Sequence, residues 1–360
     1  MKRILTLFSI LSFAACAPKG TTTELTIGTY GGHLYRYSFD SQTLEFTLKG
    51  AAEALNASYA LTYGDNIFAV SEAGAGSGAY SFRETEGTGI GMTADLRQTG
   101  ADPCFLMVRK DCNGSDYLMT ADYSGGSVSV FPIHDGRLEN LTEQLRFEGS
   151  GPVTERQEAS HIHQLKAVPG AEGYILASDL GADAIRVIRA REGGKLEHVK
   201  DIRCPEGSGP RHMEFNAKGS MMYCIAELSG EVLSYKVTYA EDVPEFTLLQ
   251  RIQADEVNAG GSADIHMHPS GKWLYTSHRL ENDGISIFCV RHDGTLEKTG
   301  YAHTGRHPRN FMITPDGEFL LAACRDDRVI QVFRIDKDGQ LTLTPGKLEL
   351  ESDMPSSITS

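Results

Sequence analysis

Seven times along the chain, an apolar run, a short turn rich in Gly, Asp or Asn, and a run alternating apolar with polar residues follow one another. The copies are LTIGTYGGHLYRYSF (25–39), IFAVSEAGAGSGAYSF (67–82), YLMTADYSGGSVSVF (117–131), YILASDLGADAIRVI (174–188), MYCIAELSGEVLSY (222–235), WLYTSHRLENDGISIF (273–288) and FLLAACRDDRVIQVF (319–333). A short continuous apolar run between turn signals predicts a strand buried on both faces, and an alternating run predicts one with a solvent face. Each copy therefore predicts a strand, a tight turn and a strand. Their starts lie 42 to 57 residues apart, a period that marks solenoids, propellers or arrays.

Two more strands per unit lie between the hairpins. The clearest unit reads PRHMEFN (210–216), MMYCIAEL (221–228), EVLSYKV (231–237) and FTLLQRIQ (246–253), with turns at 217–219 and 229–230. Gly-containing turns at HPSG (268–271), TPDG (314–317), HDG (134–136), RHDG (291–294) and DKDG (336–339) repeat the scheme, because Gly supplies the positive φ such turns need. Four-stranded antiparallel units repeated radially are the blades of a β-propeller. The expected fold is thus all-β, a seven-bladed propeller. The first unit starts directly with its second strand, at Leu25, and PSSITS (355–360) follows the seventh, so the two chain ends are expected to complete one blade and close the ring. A single tryptophan, Trp273, disfavours WD-repeat and tryptophan-docked propellers.

The first residues follow a different rule. Lys2 and Arg3, an apolar run at 4–13 and Ala14-Ala15-Cys16 read as an export signal, with small residues before a cysteine resembling a bacterial lipoprotein processing box. The apolar run falls short of the roughly 20 residues needed to span a bilayer. The expected organisation is a signal peptide at 1–15, a tether at 16–23 beginning with lipidated Cys16, and a propeller at 24–360. The mature protein is then a membrane-anchored lipoprotein on the periplasmic side, expected to be a monomer. The other six cysteines form no C-x-x-C, and Cys224 and Cys289 fall inside strand patterns where a small buried hydrophobe is the simpler role.

Composition narrows the partners. With 40% apolar and 23% charged residues the chain is ordinary globular material, and a net charge of −14 disfavours nucleic acid. Against that acidic background, the starts of inner strands carry His161 and His163, Arg211 and His212, Asp264 and His266, and His307 and Arg309. The ends of second strands carry Asp122, Asp179, Glu227, His278 and Arg279. In antiparallel neighbours these positions share one face of the wheel, so arginine and histidine collect at one mouth of the channel, as an anionic small-molecule site requires. Arg211 and Arg309 each follow a proline at equivalent positions, which also suits blade-to-blade salt bridges, Arg309 more than Arg211. His161 and His163 would point the same way on a regular strand, a spacing also found in metal sites, but no third ligand accompanies them and no metal is expected.

The segments GPRHMEF (209–215), IAEL (225–228), SADIHMHPSGKWLYTSHR (262–279) and HPRNFMITPDGEFLLAACRDD (307–327) resemble the repeats of the seven-bladed lactonase family, which includes propeller-type 6-phosphogluconolactonases. The resemblance covers essentially the whole mature chain. By likeness to the related fungal muconate lactonising enzymes, it implies catalytic roles for His163, Arg211, Glu227 and Arg279. Substrate contacts are then expected from His161, His212, His307 and Arg309. Where the family often has Asn-Arg and Asn-Gln, this chain has His278-Arg279 and Cys324-Arg325, departures that bear on substrate preference.

Lactone hydrolysis suits these residue types. Water needs a base, and the developing oxyanion needs positive or donor groups, for which Arg211 and Arg279 qualify; either could instead clasp a substrate carboxylate or phosphate. His163 or Glu227 is the base. No cofactor is required, and Gly-x-Ser-x-Gly, His-Glu-x-x-His and phosphate-loop motifs are absent from the sequence. The expected activity is hydrolysis of a small anionic sugar lactone, phosphorylated or plain. The alternatives are a non-catalytic tethered propeller that binds a small anionic ligand or peptide, and a muconate-type lactonising enzyme.

Overall fold

Burial is most complete where the apolar runs are continuous. The strands Tyr174–Asp179, Met221–Ala226 and Phe319–Cys324 bury every residue, whereas the outermost strand Leu341–Glu349 buries none fully. A strand with a neighbour on each side and a sheet packed on each face has no solvent side, which is why its sequence does not alternate. The computed structural model describes residues 22–85, 89–111, 113–171, 173–241 and 243–360. The segment 1–15 read as a signal peptide, the lipidation site Cys16 and Cys112 lie outside the described residues.

Seven antiparallel sheets make the wheel, six of them with four strands each. The unit used above as the clearest comprises Pro210–Phe215, Met221–Ala226, Glu231–Ala240 and Val243–Gln253, paired in that order. The third blade departs from the scheme: its outer edge is split into Arg137–Leu138 and Glu143–Arg146, both paired with Ser127–His134. Gly136, at φ 75°, turns the chain back immediately, and the chain rejoins the same neighbour after a short gap. Ring closure is as expected. Met354–Thr359 pairs antiparallel with Thr22–Tyr30 as the innermost strand of the first blade. That strand starts earlier than the sequence pattern indicates: Thr22 and Thr23, counted with the tether, pair with Asp40 and Phe39.

Among the described residues seven apolar clusters form, one in each gap between neighbouring blades. One joins Leu176 and Val187 to Met213 and Tyr235; another joins Leu25 and Phe39 to Phe319 and Ile330 across the closure. Cohesion therefore comes from blade faces, and the axial channel stays free for polar side chains. Cys104, Cys204, Cys224, Cys289 and Cys324 are free thiols.

Candidate active site

A single irregularity recurs at the start of the inner strands and decides which side chains reach the mouth. The register slips by one residue there in six of the seven blades, and in the third, fourth, fifth and seventh it leaves Cys104, His163, Arg211 and Arg309 unmatched by any residue on the second strand. These are β-bulges, which bend a strand and re-aim a side chain. Three of the four bulge residues follow a proline, Pro103, Pro210 and Pro308, whose missing N–H suits a position where pairing lapses.

At that mouth lies a cavity of about 290 Å³. Of the residues expected from sequence, His163, Glu227, Arg279 and Arg309 line it. Arg211 does not; only 2% exposed, it lies beneath, donating from Nη1 to the Ala263 carbonyl of the next blade. Arg309, expected to contact substrate, is thus at the cavity, whereas Arg211, expected to be catalytic, is held below it. Arg211 makes the bridge to the next blade, while Arg309 faces the cavity, its guanidinium 5.2 Å from the Tyr30 ring centre.

Glu227, expected as a possible base, is buried among three guanidinium groups. Its Oε2 is 2.8 Å from Arg211 Nε and 3.3 Å from Arg279 Nη2, and its Oε1 is 2.7 Å from Arg156 Nη2. The Arg211 N–H is not aimed at the carboxylate, so that contact is chiefly Coulombic. Burial alone would raise the Glu227 pKa, but Arg279, Arg211 and Arg156 outweigh it and hold the carboxyl at about 2. A group so acidic accepts a proton poorly near neutrality. Arg279 also donates to the Gly261 carbonyl and sits 3.2 Å from His307 Nε2.

His163 is the opposite case. Burial, then the nearby charges of Arg211, His212, Arg309 and Arg279, push its pKa well below 6.5, so it is neutral at physiological pH, and its Nδ1 has no hydrogen-bond partner among the described residues. The remaining histidines stand back from the cavity. His161 stacks on Tyr123 with ring centres 4.5 Å apart, because the bulge at His163 breaks the alternation that would have aligned the two. His212 lies behind His163 against Asp264, and His307, at φ 60°, supports Arg279.

Five further lining residues escaped the sequence reading: Glu72, Cys104, Tyr123, Arg156 and Leu280. Glu72 follows the second strand of its blade just as Glu227 does, but the Gly-rich stretch after it obscured the register. It accepts a 2.6 Å hydrogen bond from Tyr30. Cys104 was findable, since Pro103-Cys104 matches Pro210-Arg211 and Pro308-Arg309. Burial drives its thiol far above the ordinary range, which makes it a poor nucleophile. Arg156 comes from the connection between two blades, where no periodicity marks it. Leu280, 58% exposed, holds φ 84° at the rim, an unusual backbone for a leucine.

Three guanidinium groups and two carboxylates line a small cavity, with the Arg211 guanidinium beneath them, so positive charge is in excess, and beside it sits a neutral imidazole. That arrangement can receive a polar anion-forming substrate and take up a proton. The family model described as Lactonase, 7-bladed beta-propeller, matches residues 20–358. A Bacillus subtilis protein named 6-phosphogluconolactonase is 32% identical over 90% of this chain and 95% of its own length. Another of that name from Formosa agariphila is 34% identical over 69% of this chain and 71% of its own. A crystal structure from Bacteroides fragilis, 36% identical, superposes with a TM-score of 0.84 over 96% of this chain and 99% of its own. The periplasmic gluconolactonase of Pseudomonas aeruginosa, 27% identical, does so with 0.80 over 93% and 98%. Blade count and these likenesses agree that the chain belongs to the seven-bladed β-propeller lactonase family.

Proposed function

We propose that this protein is a carboxylic ester hydrolase that opens a sugar lactone to its acid in the cavity lined by His163, Glu227, Arg279 and Arg309. The observation that carries this reading is the neutral, buried His163 beside a cluster of arginines that outnumbers its carboxylates. His163 accepts the proton of the attacking water. Arg309 and Arg279 stabilise the oxyanion that develops on the carbonyl oxygen, where fixed positive charge in a dry site acts strongly. Glu227 holds three arginines in place and is not the base. Arg211 braces that carboxylate from below.

The physiological substrate in this reading is an unphosphorylated aldonolactone. Support comes from the sequence at 1–16, which reads as a lipoprotein signal and would place the enzyme outside the cytoplasm, away from phosphorylated sugar intermediates. The periplasmic gluconolactonase among its structural neighbours is consistent with that setting. Hydrolysis of plain and 6-phosphorylated glucono-1,5-lactone in a pH-stat, referenced to buffer, tests both parts. Turnover of the plain lactone supports the reading. Turnover of the phosphorylated lactone alone overturns the substrate assignment, and no rate above buffer overturns the activity. The anchor is tested separately: Cys16→Ser is expected to move the protein from the membrane fraction to the soluble one, and continued membrane association contradicts lipidation.

A further inference from the structure

The two carboxylates of the cavity are held in opposite ways. Both oxygens of Glu227 are engaged, Oε1 by Arg156 and Oε2 by Arg211 and Arg279. Glu72 has its Oε2 held by the Tyr30 hydroxyl, which donates at 2.6 Å, while its Oε1 has no hydrogen-bond or ion-pair partner among the described residues. The residue is nevertheless well fixed. Its backbone N–H donates to the Asn56 carbonyl at 3.1 Å, and its own carbonyl accepts from the Asn56 side-chain amide at 3.1 Å. Burial raises the Tyr30 phenol above its ordinary pKa, so the hydroxyl keeps its proton and remains a donor. The arginine beside this pair is also uncommitted: Arg309 lays its guanidinium over the Tyr30 ring and makes no hydrogen bond or ion pair through it with a described residue. Arg279, by contrast, is bound to Gly261, His307 and Glu227. Glu72, Tyr30 and Arg309 come from the second, first and seventh blades, consecutive round the ring through its closure, whereas His163 and Glu227 come from the fourth and fifth, across the axis. One wall of the cavity thus offers an open acceptor close to open donors, and the other holds the imidazole.

We propose that Glu72, held by Tyr30, determines specificity: its open Oε1 accepts a hydrogen bond from the hydroxyl on the carbon next to the lactone carbonyl, so the site takes 2-hydroxylated sugar lactones. The proposal rests on the lactonase reading of this pocket. In that reading the carbonyl oxygen lies at Arg309 and Arg279. Arg309 and Glu72 both contact Tyr30, so a hydroxyl one carbon away from the carbonyl shares their wall. An ionised carboxylate only accepts hydrogen bonds, so it receives a hydroxyl there, gains nothing from a methylene and repels an anionic group. A hydroxyl bonded to a charged acceptor makes one of the stronger hydrogen bonds, and an acceptor already fixed by its backbone and by Tyr30 loses little freedom in making it. Glu227 cannot serve in this way, because its oxygens are taken up by arginines. Tyr30 is a positioning residue, acting through the carboxylate it holds.

The test compares hydrolysis of glucono-1,5-lactone with that of its 2-deoxy analogue, each kcat/KM divided by the same lactone's spontaneous rate. Wild type is expected to favour the hydroxylated lactone about 30-fold, and Glu72→Ala to reduce that preference to within about twofold. Tyr30→Phe keeps the ring beneath Arg309 and removes only the hydroxyl that holds Glu72; it is expected to lower the preference about fivefold. A merely structural role for Glu72 would slow both lactones together and leave the preference as it was, and that result overturns the assignment. The wild-type comparison needs no variant, so equal turnover of the two lactones overturns it even where a variant does not fold. A wild type that hydrolyses neither lactone faster than buffer instead overturns the parent reading, and this specificity with it.

Discussion

Glu227 sits among three arginines at the candidate site, and in the proposed reaction it takes no part in proton transfer. Its carboxyl is held at about 2, against 4.5 ordinarily, which corresponds to about 3 kcal/mol of native-state stabilisation from its arginine partners net of burial. Because the folded pKa is depressed, that contribution is complete above about 4.5 and is lost as pH falls towards 2. His163 acts earlier in the same direction. A histidine kept neutral in the fold must charge on unfolding, so its contribution declines once pH drops below 6.5. Urea midpoints are therefore expected to fall progressively below pH 6.5; His266, whose pKa Asp264 raises against its burial, works in the opposite sense, giving up its contribution as pH rises above 6.5. In Glu227→Gln, three arginines lose their counter-charge, and a loss of about 3–5 kcal/mol at pH 7 is expected by the same titration. Cys104 supplies a second residue-level check. Its raised pKa and burial predict alkylation at least about 100-fold slower in the native protein than in urea, read by peptide mapping.

At the level of strands, the inner-strand bulges explain both what could be read from sequence and what could not. Blade number, strand order and the closing segment follow from the alternation and turn chemistry of the seven hairpins, which are local properties. The split outer edge of the third blade is local too, but depends on where the chain rejoins its neighbour. Site residues were legible only to within the register of an inner strand. The pairs His161/His163 and Arg211/His212 cannot be separated by period-two reasoning, since a one-residue bulge reverses which side chain reaches the mouth. Arg156 lies on a connection without any period, and Glu72 follows a strand whose hairpin is obscured by Gly74–Gly76. Closure by Met354–Thr359 carries its own prediction. Removing residues 354–360 strips the first blade of its inner strand and exposes Ile27 and Leu25, so the truncated protein is expected to lose at least about 3 kcal/mol and to aggregate on heating. Differential scanning calorimetry against full length checks this; an unchanged melting temperature would show that the closing strand is dispensable.

On the scale of the whole molecule, the acidic wheel and its basic mouth divide two tasks. A net charge of −14 over the chain opposes the approach of polyanions, whereas arginines gather at one end of the channel, where the proposed substrate is a small polar molecule. Blade-to-blade packing leaves the axis to polar groups, so residues as distant in sequence as Glu72 and Arg309 share one cavity of about 290 Å³. In the proposed reaction this cavity hydrolyses a lactone with His163 as proton acceptor. Its most direct test is the steady-state hydrolysis of glucono-1,5-lactone by wild type and His163→Gln, each corrected for spontaneous opening. A wild-type rate well above buffer is expected, with a kcat about 100-fold or more lower in the variant and the fold retained. A wild-type rate equal to buffer, or a variant as fast as wild type, would contradict it.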